Sequence, residues 1–443
     1  MKLKTNLFLT LVSATVITGL SVTGLRAQES TENPMDTLAR SVNKLQDDFA
    51  IFKKLKVSGY IQAQFQVADS VGIPSYAGGN FNPGVDKRFA IRRGRIKFNY
   101  DNRLTQYVLQ FNATEKEVTT KEAYVKITEP WMQAFSVQMG IFDVPFGFEA
   151  PYSSSAIETP ERGRMSQTLL PDENDLGAMI TFQMPKTSAL NFLKLEAGMF
   201  NGTQAKAPDF DFQKDFIGRL SIARSSKSEK IKYGIGCSYY NGGVSQGNKY
   251  VFTSVSTGGG TTWFNVDSTA TNKGQIAERQ YTGVDAQISF DFPFGITTIK
   301  GEYIEGVQPG SSGTSKSPNA ALSDASTYAH TADTYKRRFN GAYFYFIQNI
   351  LQTKHQIVVK YDWYDPNTKV SGDQIAAKGS SLGVTDVKFT TWGFGYNYKW
   401  DNNVRITLYY DLVTNETSKY LGKKGYHTDL KDNVFTVRFQ YKF

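Results

Sequence analysis

From residue 55 to the last residue, Phe443, apolar and polar side chains alternate with a period of two, in segments of about ten residues. In LKVSGYIQAQFQV, Val57, Gly59, Ile61, Ala63, Phe65 and Val67 share one face, and Ser58, Tyr60, Gln62, Gln64 and Gln66 share the other. The closing NVFTVRFQYKF sets Phe435, Val437, Phe439, Tyr441 and Phe443 against Thr436, Arg438, Gln440 and Lys442. One apolar face per strand suits a wall with lipid on one side and water on the other. Sixteen such segments can be counted, from 55–67 and 88–100 to 404–414 and 432–443.

The links between them alternate too. DNR, EPWMQ, FPFG, LQTK and WDNN are short, whereas 68–87, 142–174, 242–278, 306–337, 366–386 and 415–431 are long. Short turns at one rim and long loops at the other are the pattern of an outer-membrane barrel, and a soluble sandwich has no reason for it. Segment 246–267 has room for a hairpin of its own, which would bring the count to eighteen. The expected fold is all-β: a transmembrane antiparallel β-barrel of about sixteen strands, preceded by a short helix. With aromatics at 14% of residues, rings such as Tyr361, Trp363, Trp392, Tyr396, Tyr398, Trp400 and Tyr441 can form belts at the lipid boundaries. The terminal Phe443 resembles the C-terminal signal read by barrel-assembly machinery, which makes that machinery an expected partner.

Before the strands lie a leader and a helix. Lys2 and Lys4 precede the apolar LFLTLVSATVITGLSVTGL, and cleavage after Ala27 gives a signal peptide over 1–27, with a retained anchor as the alternative. Its removal takes Lys2, Lys4 and Arg26, leaving 47 basic against 41 acidic residues, a net +6. That is too mild to argue for nucleic acid. Within 28–54, Met35, Leu38, Val42, Leu45, Phe49 and Phe52 form an a/d seam of about two and a half heptads. It suits an amphipathic helix on its own barrel or a coiled coil joining subunits. The barrel itself is assigned to 55–443, and the protein to the outer membrane of a Gram-negative-type bacterium.

The phase of each strand predicts what lines the interior. In RFAIRRGRIKFNYDN, Gly94, Ile96, Phe98 and Tyr100 face one way and Arg93, Arg95, Lys97 and Asn99 the other. A cation on the lipid side would cost about 2–4 kcal/mol near the midplane, so the arginines point inward. The same reasoning adds Lys126, Arg219, Lys360, Arg405 and Arg438, with Glu122, Asp285, Glu302, Asp362 and Asp411 as acidic neighbours. A cationic lumen selects by sign. The alternative is that these cations pair with carboxylates and brace the wall.

FAIRRGRIKF, EAYVKI, MGIFDVPFGFE and ETPERGRM followed by LLPDENDLGAMI resemble, in content and order, the phosphate-selective porin O and P family. The resemblance implies a sixteen-stranded barrel, usually trimeric, whose third extracellular loop is long and folds inward as a constriction. That loop is 142–174 here, and Arg162 and Arg164 are the residues carried over as constriction cations. The same loop holds Asp143, Glu149, Glu158, Glu161, Asp172 and Glu173, and no lysine. The expectation is therefore passage of small anionic or neutral solutes with a mild anion preference. A plugged, adhesive outer-membrane protein is the alternative.

No enzyme chemistry stands out. Cys237 is the sole cysteine, the three histidines show no nucleophile spacing, and no phosphate-binding loop or dinucleotide fingerprint occurs. Asp209, Asp211 and Asp215 lack a calcium-loop pattern and read as a solvated loop. No metal, cofactor or nucleic acid is expected.

Overall fold

Period-two patterning becomes strand after strand. The computed structural model describes residues 38, 40–44, 53–204, 209, 211–316 and 332–443. The chain divides into two units, Met1–Phe52 and Lys53–Phe443. In the first, residues 38 and 40–44 are helical; the leader 1–27 and the rest of the seam lie outside the described residues. In the second, Lys53 and Lys54 are helical and lead into the first strand.

The strands are β1 (Leu55–Ala68), β2 (Lys87–Asn102), β3 (Thr105–Ala113), β4 (Val118–Thr128), β5 (Phe135–Asp143) and β6 (Asn174–Gln183). Next come β7 (Leu193–Phe200), β8 (Asp215–Ser225), β9 (Ile231–Ser245), β10 (Val251–Gly258), β11 (Thr261–Asp267) and β12 (Ile276–Phe292). The last six are β13 (Gly295–Gly310), β14 (Thr334–Asn349), β15 (His355–Asp365), β16 (Phe389–Lys399), β17 (Val404–Asn415) and β18 (Val434–Lys442). β1 to β9 pair in sequence, β9 pairs with β12, β12 to β18 pair in sequence, and β18 returns to β1. Leaving out β10 and β11, sixteen antiparallel strands close on themselves with no free edge, the condition for satisfying a backbone in hydrocarbon.

The hairpin foreseen in 246–267 exists, but it does not enter the wall. β10 and β11 pair with each other, and β10 touches β14 only through Val251–Thr334 and Phe252–Tyr335. The hairpin packs with the outer loops instead: Phe252, Phe264, Tyr335, Val370, Ile375, Leu382, Val387 and Leu421 form one buried cluster.

Closure depends on a close approach. Gly59 N–H donates to Phe443 O and Phe443 N–H donates to Gly59 O, both at 3.0 Å. A side chain on Gly59 would run into the Phe443 ring and the Arg95 carbonyl.

The assigned phase holds in β2. Ile96 is exposed on the outer wall, while Arg93 is 6% exposed inside. Trp392, Tyr396, Trp400, Tyr441 and Phe443 are exposed outward, and Tyr361 packs on Trp392 at 4.7 Å. Two features escape simple alternation. The β1–β2 register slips between Gln62 and Ala63, which leaves Arg92 as an extra residue, and the β3–β4 register slips between Gln110 and Phe111 opposite Lys121. Each bulge turns a second consecutive residue toward the lumen.

The inner face is also not uniformly polar, contrary to the two-sided expectation. Tyr281, Ile304, Phe339, Tyr343, Tyr345, Ile347 and Val358 are buried with Phe146, Ala150, Met165 and Leu169 from the link after β5. These inward residues of β12–β15 stay dry because that link covers them. Asp215, assigned to a solvated loop, is also buried: it accepts from Tyr240 Oη at 2.6 Å and faces Arg279 at 3.6 Å.

Candidate functional site

The link between β5 and β6, loop 3 (144–173), leaves the wall at a ladder bond from Val144 N–H to Glu173 O, 2.9 Å. Gly147 then takes φ +67, which favours glycine, and turns the chain inward. Gly147 N–H donates to Ser238 Oγ at 3.0 Å, and the N–H groups of Phe148 and Glu149 donate to Glu302 Oε2 at 3.2 and 3.1 Å. Tyr343 Oη donates to the same oxygen at 2.7 Å.

Deeper in the loop, Glu149 organises the return limb. It accepts from Tyr345 Oη at 2.6 Å, Ser166 Oγ at 2.6 Å and Gly163 N–H at 3.0 Å. Glu158 pairs with Lys300 at 2.6 Å. Ser166 belongs to helix α1 (Arg164–Leu169). The loop is two-sided: its apolar side lies on β12–β15, and its charged side meets β1, β2 and β18.

On the charged side, three arginines converge on Glu161. Arg92 binds it through Nε at 2.8 Å and an η nitrogen at 3.0 Å, Arg93 at 2.8 Å and Arg438 at 2.7 Å. The bulge in β2 makes this possible, since adjacent Arg92 and Arg93 would otherwise face opposite sides. Burial alone would raise the Glu161 carboxyl. Arg92, Arg93 and Arg438 outweigh it and hold the group well below the ordinary carboxylate range. Next to it, Glu173 receives both Lys121 and Arg162. Burial opposes its charge as well, and Arg162, Lys121 and Arg95 reverse that. Five cations thus meet two carboxylates. Arg92, Arg93, Arg95, Lys121, Asp172 and Glu173 face a cavity of about 100 Å³ between the loop and β2–β4.

The other expected lining residues are dispersed. Lys97 pairs with Glu122 at 2.5 Å, Arg219 with Asp285 at 2.6 Å and Lys360 with Asp362 at 3.0 Å. Arg405 donates to Gln440 Oε1 at 3.1 Å and has no carboxylate within ion-pair distance among the described residues. Arg95 lies 5.8 Å from the Tyr60 ring centroid, and its Nε has no hydrogen-bond partner there. Lys126 is half-buried, without an ion pair among the described residues. Arg162 also donates from Nε to Glu149 O at 2.8 Å. Arg164 points outward from the loop, its guanidinium between Tyr76 and Phe389 at 4.3 and 3.8 Å. Most cations therefore brace the wall in pairs.

Arg92, Lys121 and Lys300 were not among the expected residues. Arg92 and Lys121 sit at bulges, and the only trace of the first is the doublet Arg92–Arg93 itself. Lys300 follows the inward phase of β13 and was readable. Among the described residues, no group of three metal-binding side chains occurs.

A search of curated proteins finds no match. Several solved structures are similar in outline. OmpT, an outer membrane protein of Vibrio cholerae, is 9% identical in its in-vitro folded trimer form, with TM-score 0.47, covering 88% of this chain and 99% of that one. The outer membrane channel DcaP of Acinetobacter baumannii is 9% identical, TM-score 0.49, covering 88% and 97%. An engineered porin of Rh. blastica is 10% identical, TM-score 0.45, covering 88% and 100%. A family sequence model matches residues 82–443, nearly the whole barrel, and the chain belongs to the family of outer-membrane channels described as phosphate-selective porin O and P.

Proposed function

We propose that the protein is a passive channel for small hydrophilic solutes that prefers anions, phosphate among them. The observation behind this reading is the set of five cations ion-paired to two carboxylates at loop 3, so that cations outnumber their direct carboxylate partners there. A surplus of one sign in a narrow pore lowers the barrier for counter-ions and raises it for co-ions. Arg95 and Arg405, without an ion pair among the described residues, are the lining residues best placed to touch a passing anion; Arg93, Lys97, Lys126, Arg219, Lys360 and Arg438 set the field around it. Arg162 and Arg164 hold the loop in position.

The working unit is proposed to be a homotrimer. β3 to β8 run 8–11 residues and β15 to β18 9–12, against 15–17 in β9 and β12–β14, so the wall is low over both short stretches. A neighbouring copy would cover the low side at β3–β8. Export by the 1–27 leader and insertion through Phe443 complete the proposal.

The test is purified protein in a planar bilayer under a salt gradient. Conductance steps with an anion-signed reversal potential support the reading, and a cation-signed potential overturns it. Repeating the measurement with phosphate against chloride resolves the solute. The apolar packing of loop 3 across the lumen favours one competing reading, a plugged barrel, and a folded protein without conductance would establish it.

A further inference from the structure

We propose that the cavity above loop 3 binds a small zwitterion of the amino-acid class, one with an apolar or aromatic body. The cavity measures about 210 Å³ and lies between loop 1 (69–86), α1, residues 313–316, residues 364–366 and 384–389, and loop 8 (416–433). For scale, an apolar cavity of about 150 Å³ accepts benzene.

Its walls supply three different contacts. The first is a cation with its ring faces covered. The Arg164 guanidinium is sandwiched between Phe389 and Tyr76, its side chain is 9% exposed, and its Nε has no hydrogen-bond partner among the described residues. Stacking occupies the faces of a guanidinium and leaves its in-plane N–H groups to receive a carboxylate. The second is an acceptor. Asp432 is 4% exposed, and its Oδ1 likewise has no partner among the described residues. Arg164 and Asp432 line the same cavity without pairing with each other, since no ion pair joins them within 4.0 Å. The third is an apolar floor and side: Val384, Val387, Pro74 and Pro366, with Tyr426 set edge-on to Phe389.

A buried donor and a buried acceptor, both left open on one cavity, are costly unless a ligand fills them. A carboxylate would complete Arg164, an ammonium would complete Asp432, and a side chain would occupy the apolar wall. Inorganic phosphate offers only the first of these. The inference rests on the channel reading for one point, that solutes reach this cavity before the constriction.

The experiment is calorimetry on the full-length protein in detergent, with L-phenylalanine, phenylalanine amide, 3-phenylpropionate and glycine as probes. Phenylalanine is expected to bind, and each probe lacking one feature to bind at least about tenfold more weakly. Asp432→Asn should weaken phenylalanine about tenfold without weakening 3-phenylpropionate; Phe389→Leu should weaken both. No phenylalanine binding to the wild-type protein, or equal binding of phenylalanine and 3-phenylpropionate, overturns the proposal. Reversal potentials on the same preparation keep the two readings apart. Anion preference without phenylalanine binding sinks the site alone, and phenylalanine binding without anion preference sinks only the charge-selectivity reading.

Discussion

Arg93 and Glu161, 68 positions apart, meet at 2.8 Å with side chains 7% and 5% exposed. The pair ties the tip of loop 3 to β2, and Arg92 and Arg438 tie the same carboxylate to the bulge and to β18. It latches the loop to the wall, and one carboxylate there answers three guanidinium groups.

Replacing Glu161 by Gln leaves buried Arg93 and Arg438, and the partly exposed Arg92, without that counter-charge. The loss is expected to be about 3–5 kcal/mol of loop stability, with the sixteen-strand ladder intact. Denaturant unfolding followed by limited proteolysis of loop 3 measures it. In bilayers the reversal potential should move further toward anions. The pH dependence follows from a depressed carboxyl: the latch contribution is present above the ordinary carboxylate value and is lost only as pH falls through the much lower folded value. Conductance set by this latch should therefore be flat from neutral pH down to about pH 4.5.

Arg95→Gln and Arg405→Gln remove cations that have no carboxylate partner among the described residues. Stability should change by less than about 1 kcal/mol, since no ion pair is broken. Anion preference should fall in each and fall further in the double variant. An unchanged reversal potential would show that neither residue lies on the ion path.

Gly147→Ala places a methyl group on Glu302 Oε1 at a backbone φ of +67. Both the strain and the collision disturb the anchor that holds the inward limb of loop 3. The expected cost is about 1–3 kcal/mol, seen as noisier or larger single-channel currents rather than as failure of the barrel to form.

Phenylalanine affinity should rise from about pH 5 to about pH 7, measured by calorimetry. Burial pushes the Asp432 carboxyl up to about 6, Arg164 pulls it down, and Asp429 and Asp69 push it up. Tyr76, Tyr426 and Lys316 also line its surroundings. The ligand ammonium needs the ionised form, which prevails above that value. In the empty protein the sign is opposite: the raised carboxyl stabilises the fold when protonated, a contribution present below the ordinary 3.8 and lost as pH rises through about 6.

Cysteine substitutions test the wall directly. Probes at Ile96 and Phe98 should react as lipid-facing, and a probe at Arg95 as water-facing. The reverse result would invert the phase of β2 and remove the charge argument.

The strands, their antiparallel order and, away from the bulges, the side of the wall each strand residue faces were legible in the sequence, because a two-residue period maps directly onto the two faces of a sheet. An even count followed from the alternation of short and long links, and the segments numbered sixteen; the structure alone decided that the 246–267 hairpin stays out of the wall. The inward residues of β13 to β15 were harder to read. Ile304, Phe339 and Val358 look lipid-facing by composition, yet they lie under loop 3.

Local pattern alone determined that this chain closes into a barrel with arginines inside. Only the tertiary structure decided which arginines meet. A single extra residue at Arg92 reverses the side of everything beyond it, and contacts such as Glu161 with Arg438, 277 positions away, depend on closure of the ring. Neither a bulge nor a closure contact leaves a periodic trace, since each is fixed by partners far along the chain.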